Sequence, residues 1–373
     1  HLRRVGSRGD AAGETLDILG ASAIGGLVKA AGHVSQPIRV EAMRRLDLLA
    51  ASSEPARLAV NERSASPFAD VRAASTLSRA RTGGATVEVV RGLTLLLDRA
   101  ETHEQGAAGV RTAAEAPAFE TVTAGDAEAM VPRLLSFGGE DDIDRRSATA
   151  LIEALGPFAF RPLVAAVTKA VEPERRRALV VLGRLGAKYP DDPGVATARD
   201  ALGAELVAAR DPALVADALA RCGAPARPLL AAAVGSRHAD VRRAAITALR
   251  GLPAFPEGVA ALAEALGAGR DTADASAEVL VSLGSDGAVA LAEALLVSDM
   301  GLRRRAGRAL EGVPALPEAA YPSLIQAMRS KDVAVRMAAT RALVRVPTKT
   351  AEIQEALVRA KRDKSALVRR LLP

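Results

Sequence analysis

A short phrase recurs along this chain and limits what it can fold into. It opens on a polar or Asp-containing turn, continues with an aliphatic residue and Arg, then two or three small residues and an Ala-Leu pair. The clearest copies are Asp70-Val71-Arg72-Ala73-Ala74, Asp240-Val241-Arg242-Arg243-Ala244-Ala245 and, after Asp332, Val335-Arg336-Met337-Ala338-Ala339. Weaker copies surround Ile38-Arg39, Val110-Arg111, Asp144-Arg145, Arg176 and Leu302-Arg303, and the last is Val368-Arg369. Most successive phrase arginines lie 31 to 39 residues apart. Two wider gaps each enclose a unit without the Arg, around Asp211-Pro212-Ala213-Leu214-Val215 and Asp271-Thr272-Ala273-Asp274-Ala275. A period of this size marks a supersecondary unit that cannot bury its apolar face alone and must stack on copies of itself.

The unit is helical. Apolar residues recur at helical spacing, as in Val241, Ala244, Ala245, Ala248, Leu249 and Leu252, in bursts broken by Gly, Pro and Asp. Sustained alternation of strand formers is absent from the sequence. Between phrases lie second bursts, such as 225–234, 259–266, 289–297 and 322–328. Each unit therefore reads as a first helix, a turn and an Arg-bearing second helix. Composition agrees: 49% of the 373 residues are apolar but only 2% are aromatic. A core of Ala, Leu and Val must be thin, which suits closely approaching helix layers. Length alone suggests two or three domains. The repeat instead predicts one all-α solenoid over 1–373, of about eleven helix pairs. The stretch 101–125 fits worst, and is expected to be a loosened repeat or an insertion.

The Asp-x-x-Val-Arg-x-x-Ala phrase resembles HEAT repeats of the armadillo-like class, in particular the short bacterial kind related to phycobilisome-lyase repeats. The resemblance covers nearly all of the chain. It implies a right-handed α-α superhelix whose second helices line a concave face, and it specifies no substrate.

The recurring Asp and Arg have a structural reading. Asp before a helix accepts from free N–H groups and suits the positive end of the dipole. Asp141 and Arg145, Asp299 and Arg303, and Asp332 and Arg336 share an i,i+4 offset that places both groups on one helical face. In HEAT-like stacks such residues form a ladder between neighbouring units. Ligand binding is the alternative reading.

Chemistry is hard to find. His1, His33, His103 and His238 are scattered, and the single Cys222 excludes a disulfide framework and a Cys-based zinc site. Deoxyhypusine hydroxylase, a HEAT-repeat enzyme, holds iron with several His-Glu pairs. Only His103-Glu104 is present here. The acidic run from Glu140 to Asp144 lacks the alternating calcium loop and reads as helix capping. Cys222, beside Arg221, reads as a buried small residue rather than a reactive thiol. Gly25-Gly26 and Gly83-Gly84 are isolated and form no phosphate-cradling loop. Arg8-Gly9-Asp10 is a chance match to an integrin-recognition tripeptide. A HEAT-like DNA glycosylase would need aromatic side chains to hold a damaged base, and the chain has no Trp and two Tyr. Nothing identifies a bilin pocket. The expectation is a non-enzyme with no catalytic residue, cofactor or metal.

The formal charge is +6. Residues 301–373 hold sixteen Lys or Arg against six Asp or Glu, while residues 1–300 hold 34 against 38. The excess is confined to one end. Arg308 and Arg341 occupy equivalent places five residues after Arg303 and Arg336. With Arg304 and Arg345 they are the candidate partner-binding residues. Such a strip attracts an acidic protein surface or a phosphate backbone. Aromatics for stacking single strands are missing there except Tyr321. The expected function is a non-catalytic scaffold or assembly subunit that binds another protein. A nucleic-acid-binding solenoid is the first alternative, and a HEAT-like lyase or glycosylase the second. The bland alternative is Arg-rich surface chemistry, since only seven of the 50 basic residues are Lys.

The first residue is not Met, residues 10–20 read as a second helix without its first, and the last phrase stops at Pro373. The expectation is a fragment of a longer chain or a solenoid capped by a partner. No apolar run reaches membrane-spanning length. A cytoplasmic location is expected, with export left open by the absent Met.

Overall fold

The computed structural model describes residues 20–82, 86–98, 103–115, 117, 119–137 and 142–372. Among these residues there are 22 α-helices and no β-strand. The protein is all-α, as the periodicity predicts. Two compact units divide the chain: residues 1–185 with 192–197, and residues 186–191 with 198–373. The expected second helix at residues 10–20 falls outside the described residues except Gly20.

In the first unit, helices Gln36–Ala50, Ala69–Thr82, His103–Glu115 and Asp142–Ala154 carry the phrases and pack on one another in series. Helices Val87–Leu97, Ala124–Phe137 and Phe160–Lys169 form the companion series. Each sequence unit is thus a helix pair, and like stacks on like. The aliphatic residue of the phrase explains why: Ile38, Val71 and Val110 are all buried, and lock each second helix onto its neighbours.

The 101–125 stretch contains the ordinary second helix His103–Glu115. Its inward face is Gly106, Ala107, Gly109, Val110 and Ala113. A Cβ at Gly109 would stand 2.3 Å from Leu93 Cδ2. Close approach to Val87–Leu97 therefore replaces the bulky side chains whose scarcity makes the stretch look loosened in sequence.

In the second unit, second helices Pro212–Arg221, Ala239–Arg250, Arg270–Ser282, Met300–Leu310, Val333–Arg345 and Ala366–Arg369 stack in series. First helices Arg227–Val234, Pro256–Ala265, Ser285–Ala294, Tyr321–Ala327 and Ala351–Ala360 form the other layer. Pro at the first turn of Pro212–Arg221, Arg227–Val234 and Pro256–Ala265 starts those helices. Asp299, Asp332, Thr350 and Ser365 cap others through side-chain oxygens that accept backbone N–H bonds. Gly287 sets the tightest crossing, since a Cβ there would lie 1.8 Å from the Leu280 carbonyl oxygen.

No single helix among the described residues is long and apolar enough to cross a membrane. One bent pair, Asp142–Ala154 with Gly156–Lys169, reaches the length at a 115° break. Leu151, Ile152, Phe160 and Leu163 of this pair are buried in the first unit, while Ile143 and Phe158 are exposed.

Candidate partner-binding surface

The phrase Arg does two jobs. It reaches back to its own turn: Arg39, Arg72, Arg242, Arg336 and Arg369 each donate from Nη1 to the carbonyl six residues earlier. That guanidinium satisfies carbonyls a helix-to-helix turn would otherwise leave without partners. It also reaches forward to the next unit. Arg39 donates to Asp70 at 3.0 Å, Arg111 to Asp144 at 3.1 Å, Arg242 to the Thr272 hydroxyl at 3.2 Å, and Arg336 to Asp363 at 2.8 and 3.0 Å. A ladder of guanidiniums therefore joins neighbouring units within each half of the chain.

The i,i+4 residues singled out in the sequence take separate places in it. Asp299 caps its helix by accepting from Leu302 N at 2.6 Å. Asp332 accepts from Ala334 N at 2.8 Å and stands 3.7 Å from Arg304 of the preceding unit. Arg336 pairs forward with Asp363 instead of with Asp332. Arg145 pairs with Asp142, and Asp141 lies outside the described residues. The geometry behind this is simple. A capping carboxylate is held by backbone N–H groups at the helix start, while the Arg side chain four residues on extends toward the neighbouring unit.

Arg303 stands apart. Its Nε is buried without a hydrogen-bond partner, and the side chain makes no hydrogen bond or ion pair with any described residue. It lines a cleft of about 630 Å³ with Leu295, Leu296, Pro322, Ile325, Gln326, Arg329 and Ser330.

The four candidate arginines divide. Arg345 donates to the carbonyls of Glu311, at 3.0 Å, and Val313, closing the C-terminal end of Met300–Leu310. That is a structural bond at the negative end of a helix dipole. Arg341 pairs with Glu311, and Arg304 with Asp332. Arg308 is exposed and has no polar partner among the described residues. Much of the positive excess at 301–373 is thus spent inside the fold.

The remaining motifs resolve as follows. Cys222 is buried and donates to the Ala218 carbonyl at 3.2 Å. Burial pushes its thiol up to about 11, with Arg199 opposing, so it is a protonated packing residue against Gly186. His103 contacts the Leu97 carbonyl through Nδ1 at 2.9 Å. Asp142 and Asp144 hold Arg145 and Arg111, while Glu140 falls outside the described residues. Gly83-Gly84 and Arg8-Gly9-Asp10 also fall outside them. Among the described residues no group of three or more His, Cys, Asp or Glu is placed to hold a metal ion. A second cleft, of about 700 Å³, runs between Pro256–Ala265 and Ser285–Ala294, mostly apolar with Glu264, Asp286 and Glu293 at its margin. Sequence reading gave no sign of either cleft, because each forms between helices about 30 residues apart.

No family model and no curated protein matches the sequence. Solved structures resemble it in backbone. An engineered protein is 17% identical with a TM-score of 0.31, covering 93% of this chain and 96% of its own. Human deoxyhypusine hydroxylase is 20% identical with a TM-score of 0.27, covering 66% and 94%. A karyopherin bound to the extreme C-terminus of a protein phosphatase is 11% identical with a TM-score of 0.44, covering 94% of this chain and 45% of its own. The fold of this chain accordingly stands on its own helix pairs, which stack in series within each unit.

Proposed function

We propose that this chain is a non-catalytic scaffold that binds another protein through its layer of second helices, with the main charged contact in residues 301–373. The repeat subtype, the short phycobilisome-lyase-like HEAT kind, rests on the phrase itself. The observation that carries the reading is how the basic residues are used. Arg336 holds Asp363, Arg345 holds backbone carbonyls, and Arg304 and Arg341 face carboxylates. Eight of the sixteen basic residues at 301–373 keep no polar side-chain partner among the described residues: Arg303, Arg308, Arg329, Lys331, Lys361, Arg362, Lys364 and Arg370. A phosphate backbone would call on these open cations as a run, while the held cations that stand among them, such as Arg336 and Arg345, offer a protein partner a few fixed points. The missing aromatic side chains point the same way.

The test pairs two measurements. Affinity capture from source-cell extract compares the wild-type chain with the double variant R308E/R341E. A protein retained by the first and lost from the second supports the reading. Equal retention assigns the charge to surface solubility. An electrophoretic shift with duplex and single-stranded DNA at graded salt addresses the alternative, and micromolar binding that fades steeply with salt would replace the scaffold reading.

A further inference from the structure

Arg336 and Arg303 occupy the same place on adjacent second helices. Arg336 finds a carboxylate 27 residues on, at Asp363. The residue 27 positions after Arg303 is Ser330. Ser330 keeps half of the equivalent role: its hydroxyl accepts from Asp332 N at 3.2 Å, as Asp363 accepts from Ser365 N at 2.7 Å. The other half, a carboxylate for the guanidinium, is missing. Asp332 does not supply it, because one oxygen caps the helix at Ala334 N and the other has no hydrogen-bond partner. The result is a guanidinium that lines an open cleft and carries a buried, unmet Nε.

We infer that this cleft binds a carboxylate side chain, Glu or Asp, presented by a segment of a partner protein. It rests on the scaffold reading above and names one contact of that surface. Three observations support the class of ligand. A buried N–H without a partner costs stability unless something fills it. Elsewhere in the stack the fold places carboxylates of the next unit against phrase guanidiniums, at Arg39–Asp70, Arg111–Asp144 and Arg336–Asp363, and the planar fork matches a carboxylate in two parallel bonds. Arg329 lines the same cleft, is exposed and has no polar partner among the described residues, so it supplies a second cation. Leu296 and Ile325 line the walls and would cover the methylene stem of Glu and its apolar neighbours.

The probe is a dye-labelled, end-capped pentapeptide, Ala-Leu-Glu-Leu-Ala, titrated against the full chain by fluorescence anisotropy. A Gln-for-Glu peptide and a phosphoserine peptide are its counterparts. The Glu peptide should bind saturably, and the Gln peptide at least about tenfold more weakly. R303Q and R329Q should each lose binding by about the same factor, with unchanged melting because neither side chain supports the fold. S330D should lose it too, since its own carboxylate would fill the site. R161Q removes an exposed charge paired with Glu128 in the companion layer of the first unit and should leave binding unchanged. Equal affinity for Glu and Gln peptides, undiminished binding by R303Q, or no binding by about 1 mM overturns the inference. Tighter binding of the phosphoserine peptide overturns the choice of carboxylate. The peptide reads the cleft alone. A silent cleft beside an intact R308E/R341E effect on capture would sink this inference and leave the scaffold reading standing, and the converse holds.

Discussion

The helices Met300–Leu310 and Val333–Arg345 carry the same phrase but use its Arg differently. Arg336 is bound at both ends of its reach, to the Ser330 and Lys331 carbonyls behind and to Asp363 ahead. Arg303 is bound at neither. Asp363 registers the difference: the hydrogen bond from Arg336 holds its carboxyl below the usual range against the opposing effect of burial. Ser330 in place of an Asp accounts for the missing bond ahead, and the bond back to the carbonyl six residues earlier, present at Arg336, is absent at Arg303 as well. In a repeat protein each unit contacts only its neighbours, so a clasp removed at one interface leaves the others intact. Function can therefore be written into a single interface without loss of the stack.

The largest expected effect comes from breaking the closed clasp. Arg336→Gln removes bonds to a mostly buried carboxylate, with side chains 14% and 12% exposed, and should cost about 2–3 kcal/mol locally. Amide exchange across 363–372 should rise by about thirtyfold or more, because the Arg336–Asp363 pair joins that segment to Val333–Arg345. Arg303→Gln in the same measurement should change nothing. Equal effects from the two variants would erase the distinction between them.

A smaller effect comes from closing the open one. Ser330→Asp should stabilise the interface between Met300–Leu310 and Val333–Arg345 by about 1 kcal/mol, the worth of a charge-assisted bond after the cost of ordering it. The reciprocal Asp363→Ser should turn Arg336 into a second open guanidinium and let the carboxylate peptide bind there. Urea unfolding of the double swap would show whether the two sites are interchangeable.

Acid sharpens the same contrast. The folded carboxyl of Asp363 lies below its unfolded value near 4, so its contribution is present above about pH 4 and is lost as pH falls through the folded value. Relative to the intrinsic amide rate at each pH, protection across 363–372 should therefore fall on acidification below about pH 4 in the wild-type chain. In Asp363→Ser it should already be low and change less. An identical acid response in both would show that Asp363 does not anchor this end.

How much of this was readable beforehand follows from the range of each interaction. The helix pairs, their number and their small-residue core follow from spacing in the sequence, since Val71, Val241 and Val335 are buried at the same point of each unit. Turn capping by Asp299 and Asp332 is equally local. The ladder partners are not local. Asp332 and Arg336 share a face at i,i+4, yet Arg336 reaches 27 residues forward, because side-chain length and stacking distance decide the partner and neither is visible in spacing. Arg345 and Arg341 look free in sequence for the same reason. The carbonyls and Glu311 that hold them come from a helix that only folding brings alongside. Nor does a fixed offset reveal Arg303, since Arg39, Arg111 and Arg336 find their carboxylates 31, 33 and 27 residues on.

Arg341 gives the smallest and most discriminating case. It pairs with Glu311, so on a count of ion pairs it equals Arg336. The two side chains are, however, 43% and 49% exposed. Water and salt screen such a pair, and ordering two long side chains offsets most of the attraction. Arg341→Gln should therefore cost less than about 1 kcal/mol, an effect that fades with added salt, whereas the cost of Arg336→Gln should persist. Urea midpoints of both variants at low and high salt measure this directly. If Arg341→Gln proved as costly and as salt-resistant as Arg336→Gln, charge at this end would matter by number rather than by burial. The clasp at Asp363 would then have no special standing over the rest of the basic section, and the open guanidinium at Arg303 would be one exposed cation among many.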